Sequence, residues 1–191
     1  MKYIAVFCGS SSGNSPEFVK QATLLGEKIA QKGLGVVYGG AHVGLMGAVA
    51  DGVLSGGGKV IGVIPEFLKK KELEHKNISE IHVVETMHER KALMNKLSDA
   101  VIALPGGYGT LEELYEMLTW SQLALHKKPI GILNVDGYYD PLIEMSEKMI
   151  ENGFLKDEYR KILIVEKNIE NLLDKMNKYV PLKNDKWFEV K

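Results

Sequence analysis

The sequence predicts an α/β domain: a doubly wound, mostly parallel, Rossmann-like sheet of about seven strands flanked by helices. Three observations predict it. Short apolar runs rich in Val and Ile recur along the chain, each bounded by turn residues. Between most of them lie amphipathic stretches long enough to be helices, and this alternation is the signature of βαβ units with both sheet faces covered. Three of the strand-to-helix turns are also rich in glycine, as expected where loops at the carboxyl ends of parallel strands approach a ligand.

Taken in order, residues 3–8 (YIAVFC) read as a strand, 9–13 as a Gly/Ser loop and 16–32 as an amphipathic helix. GVVYGG at 35–40 is a second strand leading into a helix over about 45–54. KVIGVIP at 59–65 and IHVVE at 81–85 are the third and fourth strands, and MHERKALMNKLSD at 87–99 is helical. AVIALPGG at 100–107 is a strand with its exit loop, followed by a helix over 109–125. PIGILN at 129–134, a helix at 140–152, ILIVE at 162–166 and a helix at 168–178 complete the pattern. The tail PLKNDKWFEVK shows no periodicity and is expected to pack on the surface or on a partner. Strand order is not written in the string. Right-handed crossovers and one point where the winding reverses are the expected outcome.

At 191 residues the chain is read as one domain spanning 1–191. Its 45% apolar and 26% charged content and formal net charge of −1 show no basic excess, which argues against nucleic acid as a partner. The single cysteine, Cys8, excludes an intramolecular disulfide and a cysteine-based zinc site, and suits a reducing, cytoplasmic setting. The opening MKYIAVFCGSSSG is too short in its apolar part for a signal peptide, and no apolar run is long enough to span a bilayer. No His/Asp ligand pattern suggests a metal, so neither a metal nor a cofactor is expected.

Each glycine loop has a bland and a functional reading. In CGSSSG, Gly9 and Ser10 to Ser12 fit an anion nest ahead of a helix start, but the full G-x-G-x-x-G pattern is missing and no acidic residue ends the second strand. A simple chain turn explains it equally well. In GGAHVGLMG, Gly39, Gly40, Gly44 and Gly47 suit either phosphate approach or close helix packing, and His42 is more often solvated than catalytic in such a loop. In the helix from Met87, Arg90 shares a face with Leu93, Met94 and Leu97, so it needs an anionic partner. Arg90 and Lys91 also lie early in the helix, where the dipole disfavours cations; an internal carboxylate and a substrate phosphate remain equally good answers.

The third loop, LPGGYGTLEEL, carries the most. Thr110 and Glu113 have capping-box spacing. That leaves Gly106, Gly107 and Gly109 unexplained together, because one glycine is enough for a strand-to-helix turn. Glu112 and Glu116 are i, i+4 neighbours, whereas Glu113 faces another way. Residues 117–125 (MLTWSQLAL) serve equally as core or as a dimer interface.

The motifs MHERK at 87–91 and PGGYGTLEE at 105–113, with GGAHVGLMG upstream, resemble the LOG ("Lonely guy") family of cytokinin riboside 5'-monophosphate phosphoribohydrolases, from residue 3 to about 166. The resemblance implies a Rossmann-like homodimer that hydrolyses the N-glycosidic bond of a purine nucleoside 5'-monophosphate, either a cytokinin ribotide or AMP. It implies Arg90 and Glu113 as the catalytic pair, with Lys91, Gly107, Tyr108, Gly109, Thr110, Glu112, Glu72 and Thr119 at substrate-contacting positions. Gly9, Ser10, Gly40 and Gly44 of the upstream loops, and Met87, are expected to join them. Residues 69–80, the loop that the resemblance assigns to shaping the base pocket, depart from the Leu-Thr-Gly-Glu wording common in plant members, so the resemblance does not fix the base preference.

The chemistry suits these roles. A carboxylate near C1' stabilises an oxocarbenium-like ribose and activates water, and an arginine orients it by a bidentate contact while balancing charge. Phosphate rests on the glycine-loop amides and Thr110 without a metal. The family is often labelled lysine decarboxylase, but pyridoxal phosphate chemistry needs a lysine in the pocket. Lys127 and Lys128 precede a strand, at the sheet edge away from the glycine loops. The other alternative is a non-catalytic nucleotide-binding module, which has no need of an Arg90–Glu113 pair.

Overall fold

Seven short strands pair into one parallel sheet; the inner ones are buried on both faces, whereas the edge strands, with Glu80, His82 and Glu166 among their residues, are only partly covered. In this computed structural model, residues 1–69 and 74–182 are described; Glu72 and the tail from 183 onward lie outside the described residues. The strands are β1 (Tyr3–Phe7), β2 (Gly35–Tyr38), β3 (Val60–Pro65), β4 (Glu80–Val84), β5 (Ala100–Ala103), β6 (Ile130–Leu133) and β7 (Leu163–Glu166). Their order is β4-β3-β2-β1-β5-β6-β7, and every pairing is parallel.

Side chains alternate along the buried strands and feed two separate cores. Ile4, Val6 and Cys8 pack with α1 (Pro16–Gln31), α2 (Gly44–Ser55) and α7 (Ile169–Asn177). Ala5 and Phe7 point the other way, toward α4 (Met87–Leu97), α5 (Tyr108–Gln122) and the partly buried apolar side of α6 (Asp140–Glu151). From β1 the chain winds outward through β2, β3 and β4, then returns to lay β5 on the other side of β1. The reversal therefore falls between β1 and β5, which places a crevice beyond their carboxyl ends.

The periodicity misses three small pieces: α3 (Glu66–Lys69) and the 3-10 segments Val135–Gly137 and Asp157–Ile162. None is longer than six residues, so no apolar stripe can build up in them.

One local expectation is corrected. Helix α5 begins at Tyr108 with Gly107 as its N-cap and no side-chain cap, so Thr110 lies inside the first turn and the Thr110–Glu113 capping box does not form. The extended backbone of Gly107 starts the helix early, and Thr110 turns inward against Gly106. The same Thr-x-x-Glu spacing caps the start of α4, with the glutamate reaching one residue further back than in a strict capping box. There Thr86 Oγ1 accepts from the Glu89 amide (3.1 Å), and Glu89 Oε2 accepts from the Glu85 amide (2.9 Å).

Candidate active site

The exit loops of β1 and β5 close the floor of the crevice. The Gly9 amide donates to the Pro105 carbonyl (3.0 Å), and the Leu45 amide donates to the Gly9 carbonyl (3.1 Å). Above them opens a cleft of about 390 Å³. One wall is the start of α5, from Gly107 to Glu113; another is α4, with Met87, Arg90 and Met94. Cys8, Gly9, Ser10 and Gly39 come from strand exits, and Val43, Met46, Ile64 and Leu68 make one side apolar.

Arg90 and Glu113 meet inside this cleft. Both are nearly removed from solvent, at 9% and 7% exposure, and Arg90 Nη1 lies 3.3 Å from Glu113 Oε1. Arg90 Nε donates to the Val63 carbonyl (3.1 Å), so the strand end holds one edge of the guanidinium, and the contact with Glu113 is the single Nη1–Oε1 approach rather than the expected bidentate one. Burial pushes the Glu113 carboxyl above its ordinary value, the guanidinium opposes the rise, and Glu112 adds to it. The arginine thus has a carboxylate partner, one of the two answers open from the helix alone.

One residue along each helix, a second ion pair forms. The Lys91 ammonium, 7% exposed, donates to Glu112 and to Glu116 Oε1 (3.0 Å). Burial alone lowers the lysine pKa, but the two carboxylates outweigh it and the net direction is upward. The predicted division of labour in this helix is observed: Glu112 and Glu116 share a cation, and Glu113 serves a different one. Lys91 is not among the cleft-lining residues, so its ammonium reaches the cleft only through Glu112.

The glycines sort into packing and open positions. A side chain on Gly106 would strike Thr110 and the Gly9 amide, so Gly106 serves close packing of the two exit loops. Gly107 and Gly109 would meet nothing within 4 Å. Their backbone faces open cleft, beside the free amides of the first turn of α5, and Tyr108 between them is 93% exposed. Upstream, Gly40 (φ +78) and Gly44 (φ +59) are in the left-handed region and outside the cleft lining. Gly44 packs on the Ser10–Ser11 backbone, and the Gly40 carbonyl accepts from the His75 amide (2.9 Å). Both shape the loop in this way and lie behind the residues that line the cleft. Gly9 lines the cleft, yet its amide is already used.

Of the expected site residues, Gly9, Ser10, Met87, Arg90, Gly107, Tyr108, Gly109, Thr110, Glu112 and Glu113 are brought together in one cleft. Thr119 is not. It lies on the exposed side of α5, where its hydroxyl donates to the Tyr115 carbonyl (2.7 Å) and it lines a separate groove against α6. His42 is exposed and does not line the cleft. Lys128 donates to the Asn95 carbonyl and to Asn95 Oδ1 (2.6 Å) at the far end of α4, across the sheet from the cleft.

Several participants were not anticipated: the Val63 carbonyl, the apolar side from Met46 and Ile64, and two tyrosines; Gly39 was singled out only as one of four loop glycines. Tyr138 donates to the Gly106 carbonyl (2.6 Å) and Tyr139 to the Leu104 carbonyl (2.6 Å), bracing the loop from behind. The pair in NVDGYYDP was the available signal, because a Tyr next to a turn commonly seeks a backbone acceptor.

The sequence model of the family described as "Possible lysine decarboxylase" matches residues 46–176. A probable cytokinin riboside 5'-monophosphate phosphoribohydrolase of Oryza sativa subsp. japonica is 51% identical over 176 residues, covering 92% of this chain and 79% of that protein. The chain belongs to the LOG family. A LOG relative from Arabidopsis thaliana, named cytokinin riboside 5'-monophosphate phosphoribohydrolase, is 46% identical over 182 residues, 95% of this chain and 85% of its own length. Among solved structures, the molybdenum cofactor binding protein of Rippkaea orientalis superposes with a TM-score of 0.70 at 24% identity, over 93% of this chain and 96% of that one. The molybdenum cofactor carrier protein of Chlamydomonas reinhardtii gives 0.71 at 19% identity, with the same coverage. At such identities the likeness establishes the LOG chain's fold and nothing further.

Proposed function

We propose that this protein is a nucleoside 5'-monophosphate phosphoribohydrolase, releasing a free purine base and ribose 5-phosphate. One observation carries the reading: a buried Arg90–Glu113 pair and an open, glycine-flanked helix start face the same cleft. The relatives named for this activity supply the reaction class.

In this reading the phosphate rests on the amides of residues 108–110 at the start of α5, where the helix dipole favours an anion. The ribose then lies toward Glu113. As the C1'–N bond breaks, the base leaves with the bonding pair and positive charge develops on the sugar; the base is neutralised by the proton that Glu113 takes from the attacking water and passes on, which restores the carboxylate. The Glu113 carboxylate stabilises that charge and takes a proton from the water whose oxygen bonds to C1'. Arg90 keeps Glu113 ionised and aimed. The apolar side formed by Val43, Met46, Ile64 and Leu68 suits a purine carrying an apolar substituent, so a cytokinin ribotide is the substrate we favour over AMP.

Decarboxylation of lysine, the other activity named for the family, needs a cofactor-bearing lysine. Among the described residues no lysine lines the cleft, and Lys91 is held by two carboxylates. A homodimer in the cytoplasm completes the proposal. The apolar groove between α5 and α6, with Leu118, Ile143 and Phe154, supports the dimer, and an equilibrium mass equal to one chain would contradict it. Among the described residues no helix is long and apolar enough to cross a membrane.

The test is chromatographic detection of free base from a panel of nucleosides, mono-, di- and triphosphates and cytokinin ribotides. Monophosphates should dominate, and Glu113→Gln should lower release by about 10² to 10⁴-fold with the fold intact. Equal release from unphosphorylated nucleosides, or an active Glu113→Gln, would sink the assignment.

A further inference from the structure

Gly39 follows β2 and lines the cleft, yet its φ is not left-handed, so its backbone conformation does not demand glycine. Its neighbour Gly40 does. Space is what Gly39 supplies: a Cβ there would lie 2.8 Å from Met46 Sδ and overlap Arg90 Nη2 outright. On the adjacent strand, the Val63 carbonyl takes the hydrogen of Arg90 Nε at 3.1 Å. The guanidinium is therefore slotted between the ends of β2 and β3, with Nη1 left to face Glu113 at 3.3 Å.

We infer that Gly39 is a positioning residue: its missing side chain is the seat of the Arg90 guanidinium, and any larger residue there moves that cation off Glu113. Both obstructed atoms end flexible side chains, so an alanine displaces the guanidinium without breaking the backbone. The first glycines of the second loop thus have different work: Gly40 turns the chain and Gly39 accommodates an arginine.

The inference rests on the proposed reading that Arg90 and Glu113 form the catalytic pair, and it is tested through Glu113 itself. Charged or titratable groups around that carboxyl are Arg90 and Lys91 from α4, Glu112 and Glu116 from its own helix, and Cys8 from the β1 exit. Of these groups Gly39→Ala displaces Arg90 alone; the other side chain it moves, Met46, is uncharged. The experiment is a carbon-13 NMR titration of the Glu113 carboxyl in wild type, Gly39→Ala, Arg90→Lys and the double variant, with thermal melting and base release measured alongside. Gly39→Ala should melt near the wild-type temperature, titrate Glu113 at higher pH and lose about 10 to 100-fold in kcat. In the Arg90→Lys background, which lacks Nη2, the same substitution should leave the Glu113 midpoint unchanged. An unchanged or lowered midpoint in Gly39→Ala, or an equal rise in both backgrounds, overturns the inference. Wild-type protein that releases no base overturns the proposed reaction, while the titration still decides the role of Gly39.

Discussion

Two ion pairs link α4 to α5, one residue apart on each helix, and they differ in nearly every physical respect. Lys91 bridges Glu112 and Glu116 through two hydrogen bonds, and the Glu112 side chain is 55% exposed. Arg90 meets Glu113 in the cleft through a longer contact, with both side chains nearly dry. In the first pair the charges satisfy each other and the lysine becomes harder to deprotonate. In the second, desolvation outweighs the partner and the carboxyl becomes easier to protonate. Neighbouring positions on the same helices thus yield a clamp and a carboxyl that is easier to protonate, and the difference is the carboxylates' access to water.

Breaking the buried pair should produce the largest effect. Arg90→Ala leaves an unpaired buried carboxylate, and we expect about 3 kcal/mol of lost stability near neutral pH together with near-complete loss of base release. The loss has a definite pH dependence. Removing the guanidinium raises the folded pKa of Glu113 further above its unfolded value, so the penalty is full above the folded pKa. It shrinks as pH falls into the ordinary carboxylate range, where Glu113 is protonated in both states. Urea denaturation at several pH values measures it. In the intact enzyme the proposed role of Glu113 as the ionised base predicts an acid limb of kcat/KM above the usual carboxylate range.

The outer pair should give less. Lys91→Met should cost about 1 kcal/mol, given its partly exposed partners, and change base release only a few-fold. Because the Lys91 pKa is raised, its contribution is fully present below the ordinary lysine value and fades only as pH climbs through the folded value. Denaturation curves should therefore show a constant deficit from neutral pH to about pH 10. A drop in release as large as that of Arg90→Ala would make Lys91 a direct substrate ligand. Smallest of all, Tyr138→Phe removes one donor to the Gly106 carbonyl, with a loss of about 1 kcal/mol or less and a slightly higher KM.

Much of this was legible in the sequence, and the exceptions have physical causes. The strands and long helices were readable because their apolar periods repeat over enough residues to exclude other shapes. Thr-x-x-Glu occurs at both 86–89 and 110–113, yet only the first forms a cap. Spacing states what a side chain can reach; at Thr110 the helix has already begun, with Gly107 as its N-cap, so the threonine falls inside the first turn. The glycines show the same limit. Gly39, Gly106 and Gly107 look alike in the string, but one makes room for an arginine, one packs on a neighbouring loop and one faces open space.

The sequence by itself determined the alternation of strands and helices, the glycine loops at the strand exits and the separate facing of Glu113 from Glu112 and Glu116. These follow from periods of 2 and 3.6 residues, which are local properties of the backbone. Only the tertiary structure decided strand order, which cation each carboxylate meets and how dry each meeting is. Those depend on elements distant in the chain arriving at the same switch point, and desolvation is a property of the assembled surroundings rather than of any residue alone.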